Sequence, residues 1–359
     1  MKRILIFSFL CIVMLTQTGF SQAGLPGVLP AGRHAHQTFT VLVSADNVRQ
    51  GVTIMSYFPG KLSIHVGDTV VWKINSHEIH TVTFLAGQPL PALLIPAPTG
   101  SASPLQFNPL AAFPVVPTNG LYDGTTYVNS AVMSEDPGNV TKFSLTFTTI
   151  GSFPYVCLVH GTMMSGEIDV VDKSVKIPSP YKVNEIAEQQ IEDAWETVPA
   201  VMAKAHKQVT PPTHNPDGTT TYHVVVGYSS GVIDVMRFFP SEVNAHPGDT
   251  VVWTLSAADV APHTVTFLNG NPEPNLTLIV QPPTPPLVLL NPAVLFPSPN
   301  VISGSLLNKT DFFSSGLLNP GTPATSFSIK IGNITGSLPY LCMLHDTSGM
   351  KGRLVVWHK

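Results

Sequence analysis

From Thr38 the chain places Phe39, Val41 and Val43 on one face of an extended segment. A period of two is the mark of a strand with one buried face, because successive side chains point to opposite sides. The same signal predicts strands at Val52–Phe58, Lys61–His65 and Thr69–Ile74; a Gly67-Asp68 turn opens the last, in which Val70, Trp72 and Ile74 share a face. Many short strands separated by Gly and Pro turns predict an all-β chain of Greek-key β-sandwich type, with alternate residues buried between two sheets. One segment breaks this rhythm. Val183, Ile186, Ala187, Ile191, Ala194, Trp195 and Val198 fall at helical spacing with Glu and Gln between them, which predicts an amphipathic helix. Pro199 has no N–H for the preceding turn and is expected to end or kink it.

The strand pattern occurs twice. Phe58-Pro59 and Gly67-Asp68-Thr69-Val70-Val71-Trp72 recur 181 positions later as Phe239-Pro240 and Gly248-Asp249-Thr250-Val251-Val252-Trp253. His80-Thr81-Val82-Thr83-Phe84 recurs as His263-Thr264-Val265-Thr266-Phe267 at 183, and Tyr155-Val156-Cys157-Leu158-Val159-His160 as Tyr340-Leu341-Cys342-Met343-Leu344-His345 at 185. Order and spacing persist across the whole module, so a domain has been duplicated. The expected organisation is one sandwich at 38–172, a helical linker at 173–220 and a second sandwich at 221–359. Each module is interrupted by a Pro-rich stretch, between Phe84 and Thr141 and between Phe267 and Thr325. Loops of that length are usually functional or loosely ordered; a lid on the sheet and a partner-docking face are equally open.

Composition adds an address. Lys2 and Arg3 precede an apolar run from Ile4 to Leu15 and the small-residue site Ser21-Gln22-Ala23, the layout of a cleaved secretory signal over residues 1–23. The run is shorter than the roughly 20 residues a spanning helix needs, so an exported protein, periplasmic or at the cell surface, is expected, with no spanning segment in the mature chain and a flexible arm at 24–37. The net charge of −4 gives no reason to expect nucleic acid. Loss of Cys11 with the signal leaves Cys157 and Cys342. A disulfide is the usual fate of two cysteines in an exported chain, yet their identical Tyr-x-Cys-x-x-His settings suit a task that each performs in its own module.

That task is metal binding. Cys157 and His160 lie within one short loop with Met163 and Met164; Cys342, His345 and Met350 repeat the arrangement. Soft sulfur with imidazole nitrogen suits copper, and two His, one Cys and a weak axial Met are the ligands of blue-copper electron-transfer sites. His65 and His246 each precede a Gly-Asp turn and read as structural, as does His77, which the second module does not repeat. His34-Ala35-His36 is the one other metal-like pair.

On these residues the chain twice resembles the cupredoxins, the plastocyanin-type blue copper proteins. The resemblance implies an upstream His joining Cys-x-x-His and Met-x-Gly: His80, Cys157, His160 and Met164 in the first module, with Met164-Ser165-Gly166 favouring Met164 over Met163. It implies His263, Cys342, His345 and Met350 in the second. It further implies two type 1 copper ions, electron exchange with redox partner proteins, and imidazole edges of His160 and His345 near the surface among Leu158 and Met343. Thr81 and Thr264 stand where the family often has Asn, which puts the usual hydrogen bond near the thiolate in question. Copper storage or delivery is a rival reading. So is a copper oxidoreductase, such as a nitrite reductase or multicopper oxidase, which would need a further His-rich centre. Seven positions separate Cys157 from Met164 and eight separate Cys342 from Met350, so unequal sites are expected.

Overall fold

A computed structural model describes residues 36–136 and 139–358. The expected signal segment, most of the arm, and His34 and Ala35 lie outside the described residues. The architecture is all-β, two β-sandwiches joined by a helix. In the first, Val52–Phe58, Thr38–Asn47, Thr69–Ile74, Lys142–Phe147 and Leu121–Tyr122 form one sheet in that order. The facing sheet runs Lys61–His65, Gly161–Val171, Gly151–Cys157, Thr83–Phe84, Val128–Asn129. The chain passes repeatedly between the two sheets, which is the Greek-key habit. The second sandwich repeats the plan without an edge strand, among the described residues, to match Leu121–Tyr122, with Glu242–Ala245, Lys351–Val356, Gly336–Leu341, Thr266–Phe267 and Phe313–Ser314 as its facing sheet.

Each core is an aromatic cluster on a buried tryptophan. Trp72 meets Tyr155 edge-on at 5.4 Å and Phe84 at 5.6 Å; Trp253 meets Tyr340 at 5.3 Å and Phe267 at 5.8 Å. Edge-to-face contact is the geometry that ring quadrupoles favour. Turn carboxylates anchor the strands. Asp68 accepts from the backbone N–H of Gln37 and His65, and Asp249 from those of Thr220 and His246. His65 and His246 therefore serve these turns, as expected.

The modules are joined in three ways. Ile233–Phe239 pairs antiparallel with Val52–Phe58, fusing two sheets into a ten-stranded one. The helix Pro180–His206, capped by the Ser179 side chain, packs Ala187 with Ala45, Ile54 and Phe58 of the first module, and Val198, Val201 and Ala205 with Tyr228, Ile233 and Phe239 of the second. It does not end at Pro199. Burial of Val198, Val201 and Ala205 holds the last two turns in place, and the Thr197 hydroxyl donates to the Ala194 carbonyl beside the proline. Thirdly, the Pro-rich stretches pair with each other: Thr277–Val280, Leu287–Leu290, Leu105–Phe107 and Leu94–Pro96 make one four-stranded sheet across both modules. That brace is a role distinct from both the lid and the docking face.

Candidate metal centres

Backbone pairing sets each upstream histidine. His80 exchanges two hydrogen bonds with Met133, and His263 does so with Leu318. Cys157 ends the strand Gly151–Cys157, and Cys342 follows the strand Gly336–Leu341. The pairs Tyr155↔Gly166 and Tyr340↔Gly352 lie directly opposite in the hairpins that carry the sulfur ligands. A Cβ on Gly166 would stand 2.4 Å from the Tyr155 ring, and one on Gly352 would stand 2.3 Å from that of Tyr340. This is the steric reason for the glycine in Met-x-Gly: the tyrosine crosses where a side chain would be.

The expected residues converge. Ligand atoms of His80, Cys157 and His160 lie within 4.8 Å of one another, as do those of His263, Cys342 and His345. Among the described residues these two groups are the clusters of this kind. Cys157 Sγ is 3.9 Å from His80 Nδ1 and 3.5 Å from His160 Nδ1; Cys342 Sγ is 3.8 Å from His263 Nδ1 and 3.5 Å from His345 Nδ1. Both cysteines are free and fully buried, so the disulfide is excluded. Met164 and Met350 are buried in the clusters that contain Cys157 and Cys342, whereas Met163 is 44% exposed.

The donor set fits a metal ion. In the second group the Nδ1 atoms are 3.0 Å apart, and a circle through them and the sulfur has a radius of about 2.0 Å, close to metal–imidazole bond lengths. Two nitrogens and a sulfur at those separations leave one ion's width between them.

The threonines after the histidines supply what was in question. The backbone N–H of Thr81 lies 3.4 Å from Cys157 Sγ and that of Thr264 lies 3.3 Å from Cys342 Sγ. Their hydroxyls accept from the N–H of Leu158 and Met343, each at 2.8 Å. The turn after each sulfur is thereby tied to the segment of the upstream histidine without an asparagine.

One expectation fails. The imidazole edges of His160 and His345 are not at the surface, since their side chains are 8% and 5% exposed, and Leu158 and Met343 are buried. The cause is the strand pair between modules, which turns the two edges towards a common interior containing Glu78. Burial pushes the Glu78 carboxyl up to about 7, with His345 opposing the rise and Asp234 adding to it.

The two centres differ in a way that repeat matching overlooked. His263 Nε2 lies 3.0 Å from buried Asp259, whereas His80 Nε2 is buried without a partner. At the offset of 183 the counterpart of Asp259 is Ser76, and that of Gly227 is Ser44. Gly227 makes the room, for a Cβ there would sit 1.6 Å from Asp259 Oδ2. Comparing the modules where they disagree would have revealed the swap. Burial disfavours protonated His263, but Asp259 and Cys342 outweigh it and hold the ring well above the usual histidine range. Burial likewise works against a Cys342 thiolate, yet His345 and His263 hold that thiol well below its usual range, while burial pushes Cys157 up.

No family model matches the chain, and no curated protein does. Among solved structures, an oxidised amicyanin mutant is similar at 21% identity, covering 37% of this chain and 82% of its own, with a TM-score of 0.23. A mutant plastocyanin of a fern is similar at 22% identity, covering 38% and 99%, with a TM-score of 0.21. Similarities of this size carry no weight for ligand or activity, and the reading of the centres rests on their own geometry.

Proposed function

We propose that the chain is an exported electron carrier of two tandem cupredoxin modules, each with a type 1 copper site: His80, Cys157, His160 and Met164 in one, His263, Cys342, His345 and Met350 in the other. The observation that carries this is the pair of matching triangles of two imidazole nitrogens and one thiol sulfur, each largely shielded from solvent. Copper in such a site supplies a one-electron couple to which thiolate and imidazole ligands are suited in both oxidation states. The protein's part is to hold the donors at fixed separations and exclude water, so that little rearranges when an electron arrives. The Thr81 and Thr264 N–H groups support negative charge on sulfur at no cost in reorganisation.

The oxidoreductase rival needs a further His-rich centre. Among the described residues the histidine clusters are the two already assigned. Storage or delivery needs ready release, which ligands at the bottom of a closed core oppose. The export part of this proposal is supported by the charged, apolar and small-residue pattern of residues 1–23, and its donor and acceptor would be redox proteins.

Copper analysis and visible spectroscopy test the reading. The oxidised protein should hold two copper ions and show an intense thiolate-to-metal band, of which Cys157→Ser and Cys342→Ser each remove one site's share. Loss of all colour in either variant refutes two independent sites, and steady turnover of nitrite or diphenols refutes the carrier.

A further inference from the structure

The two centres have one outer partner in common. Glu78 is 5% exposed, and its carboxylate divides between the modules: Oε1 is 4.0 Å from His160 Nε2 and Oε2 is 3.7 Å from His345 Nε2. Both rings turn Nδ1 towards their cysteine sulfur. Nε2 is then the nitrogen left to bear the proton when Nδ1 is a ligand, and a ligating imidazole ordinarily gives that proton an acceptor. The position equivalent to Glu78 in the second module is Ala261. One carboxylate therefore faces two imidazoles from different modules, in an interior that also holds Asp234 and Asp259. At such depth a charge is weakly screened and acts on both rings.

Resting on the two-copper reading, we propose that Glu78 is a bridge shared by the two sites, so that its one carboxylate acts on both redox levels together. Each reduction would add one electron to one site, from an external one-electron donor. The bridge also closes the two imidazole edges against each other, so an outside protein reaches the pair by another part of the surface.

The test separates the bridge from the copper reading. Cys342→Ser leaves the first site and Cys157→Ser the second; each is prepared with Glu78 intact and with Glu78→Gln, which keeps the shape and removes the charge. Redox titration followed by the visible band should show Glu78→Gln raising the midpoint in both backgrounds. The expected rise is about tenfold in the reduced-to-oxidised ratio at fixed potential, or about 59 mV for one electron. In the copper-free protein, the Nε2 resonances of both His160 and His345 should move on Glu78→Gln. A shift confined to one site, or none, in either measurement overturns the bridge. Failure of the single-site variants with Glu78 intact to bind copper or show the band instead overturns the copper reading, and the bridge with it.

Discussion

Thr53 and Asp234 are equivalent residues of the two modules, and they sit opposite each other in the strand pair that joins them. Val52 faces Val235, the counterpart of Ile54, and Ile54 faces Ile233, the counterpart of Val52. That reciprocity is the signature of a local twofold relation. It brings equivalent histidines, His160 and His345, towards the same interior, and the metal centres are neighbours for this reason.

Asp259→Asn should raise the midpoint of the second site more than that of the first. The carboxylate accepts from His263 Nε2 and so strengthens the ring's donation to an oxidised metal. A change of about tenfold in the reduced-to-oxidised ratio is expected, since outer partners commonly shift metal affinity by 10- to 100-fold. Titration in the Cys157→Ser protein reads it, and an unmoved midpoint would show that the pair at 3.0 Å is electrostatically silent.

Met163→Leu should leave the spectrum and potential of the first site as they are, while Met164→Leu raises the potential by removing the axial sulfur. Met163 is 44% exposed and Met164 fully buried beside the cysteine. Electron paramagnetic resonance of the oxidised Cys342→Ser protein distinguishes them. The reverse outcome would mean that the hairpin slips by one residue on metal binding.

Gly166→Ala and Gly352→Ala should each destabilise the protein by about 1–3 kcal/mol, the usual cost of forcing extra volume into a packed core. The new Cβ would meet a tyrosine ring below 2.5 Å, and neither ring has space to retreat, because Tyr155 and Tyr340 pack on the central tryptophans. Denaturant titration of the copper-free variants gives the value. An unchanged midpoint would show that the strands can spread.

In the copper-free protein, Glu78 should make stability fall as pH rises. Its folded carboxyl titrates at about 7 against an ordinary value of 4.5, so between those values the folded state binds more protons than the unfolded one, and its advantage declines with pH. The share that belongs to Glu78 is the difference between the native protein and Glu78→Gln across that window. Parallel pH profiles of the melting temperature would refute it.

Much of this was legible in the sequence. Alternation at Phe39, Val41 and Val43 marks a strand because one face meets a core. Cys157, His160 and Met164 are close in the chain, so one hairpin suffices to assemble them. What the sequence hid depends on contacts between modules. The burial of His160 and His345 needs the pairing of Val52 with Val235, which no local pattern announces. Glu78 and Asp259 each face the imidazole of a residue that repeat matching had aligned, and matching by likeness draws the eye away from Ala261 and Ser76. The helix continues past Pro199 for a related reason: a helix held on two sandwiches tolerates a missing backbone donor that a free helix would not.

Glu78 and Ala261 bear on how such a centre could arise. In an assembly of two identical chains every substitution occurs twice, so a carboxylate beside the axis brings its twin, and two buried negative charges repel. Joining both halves in a single polypeptide frees each copy to change alone. One module could then contribute the acid while the other kept a methyl group, and a carboxylate shared by two centres became attainable only once the duplicated halves had ceased to be interchangeable.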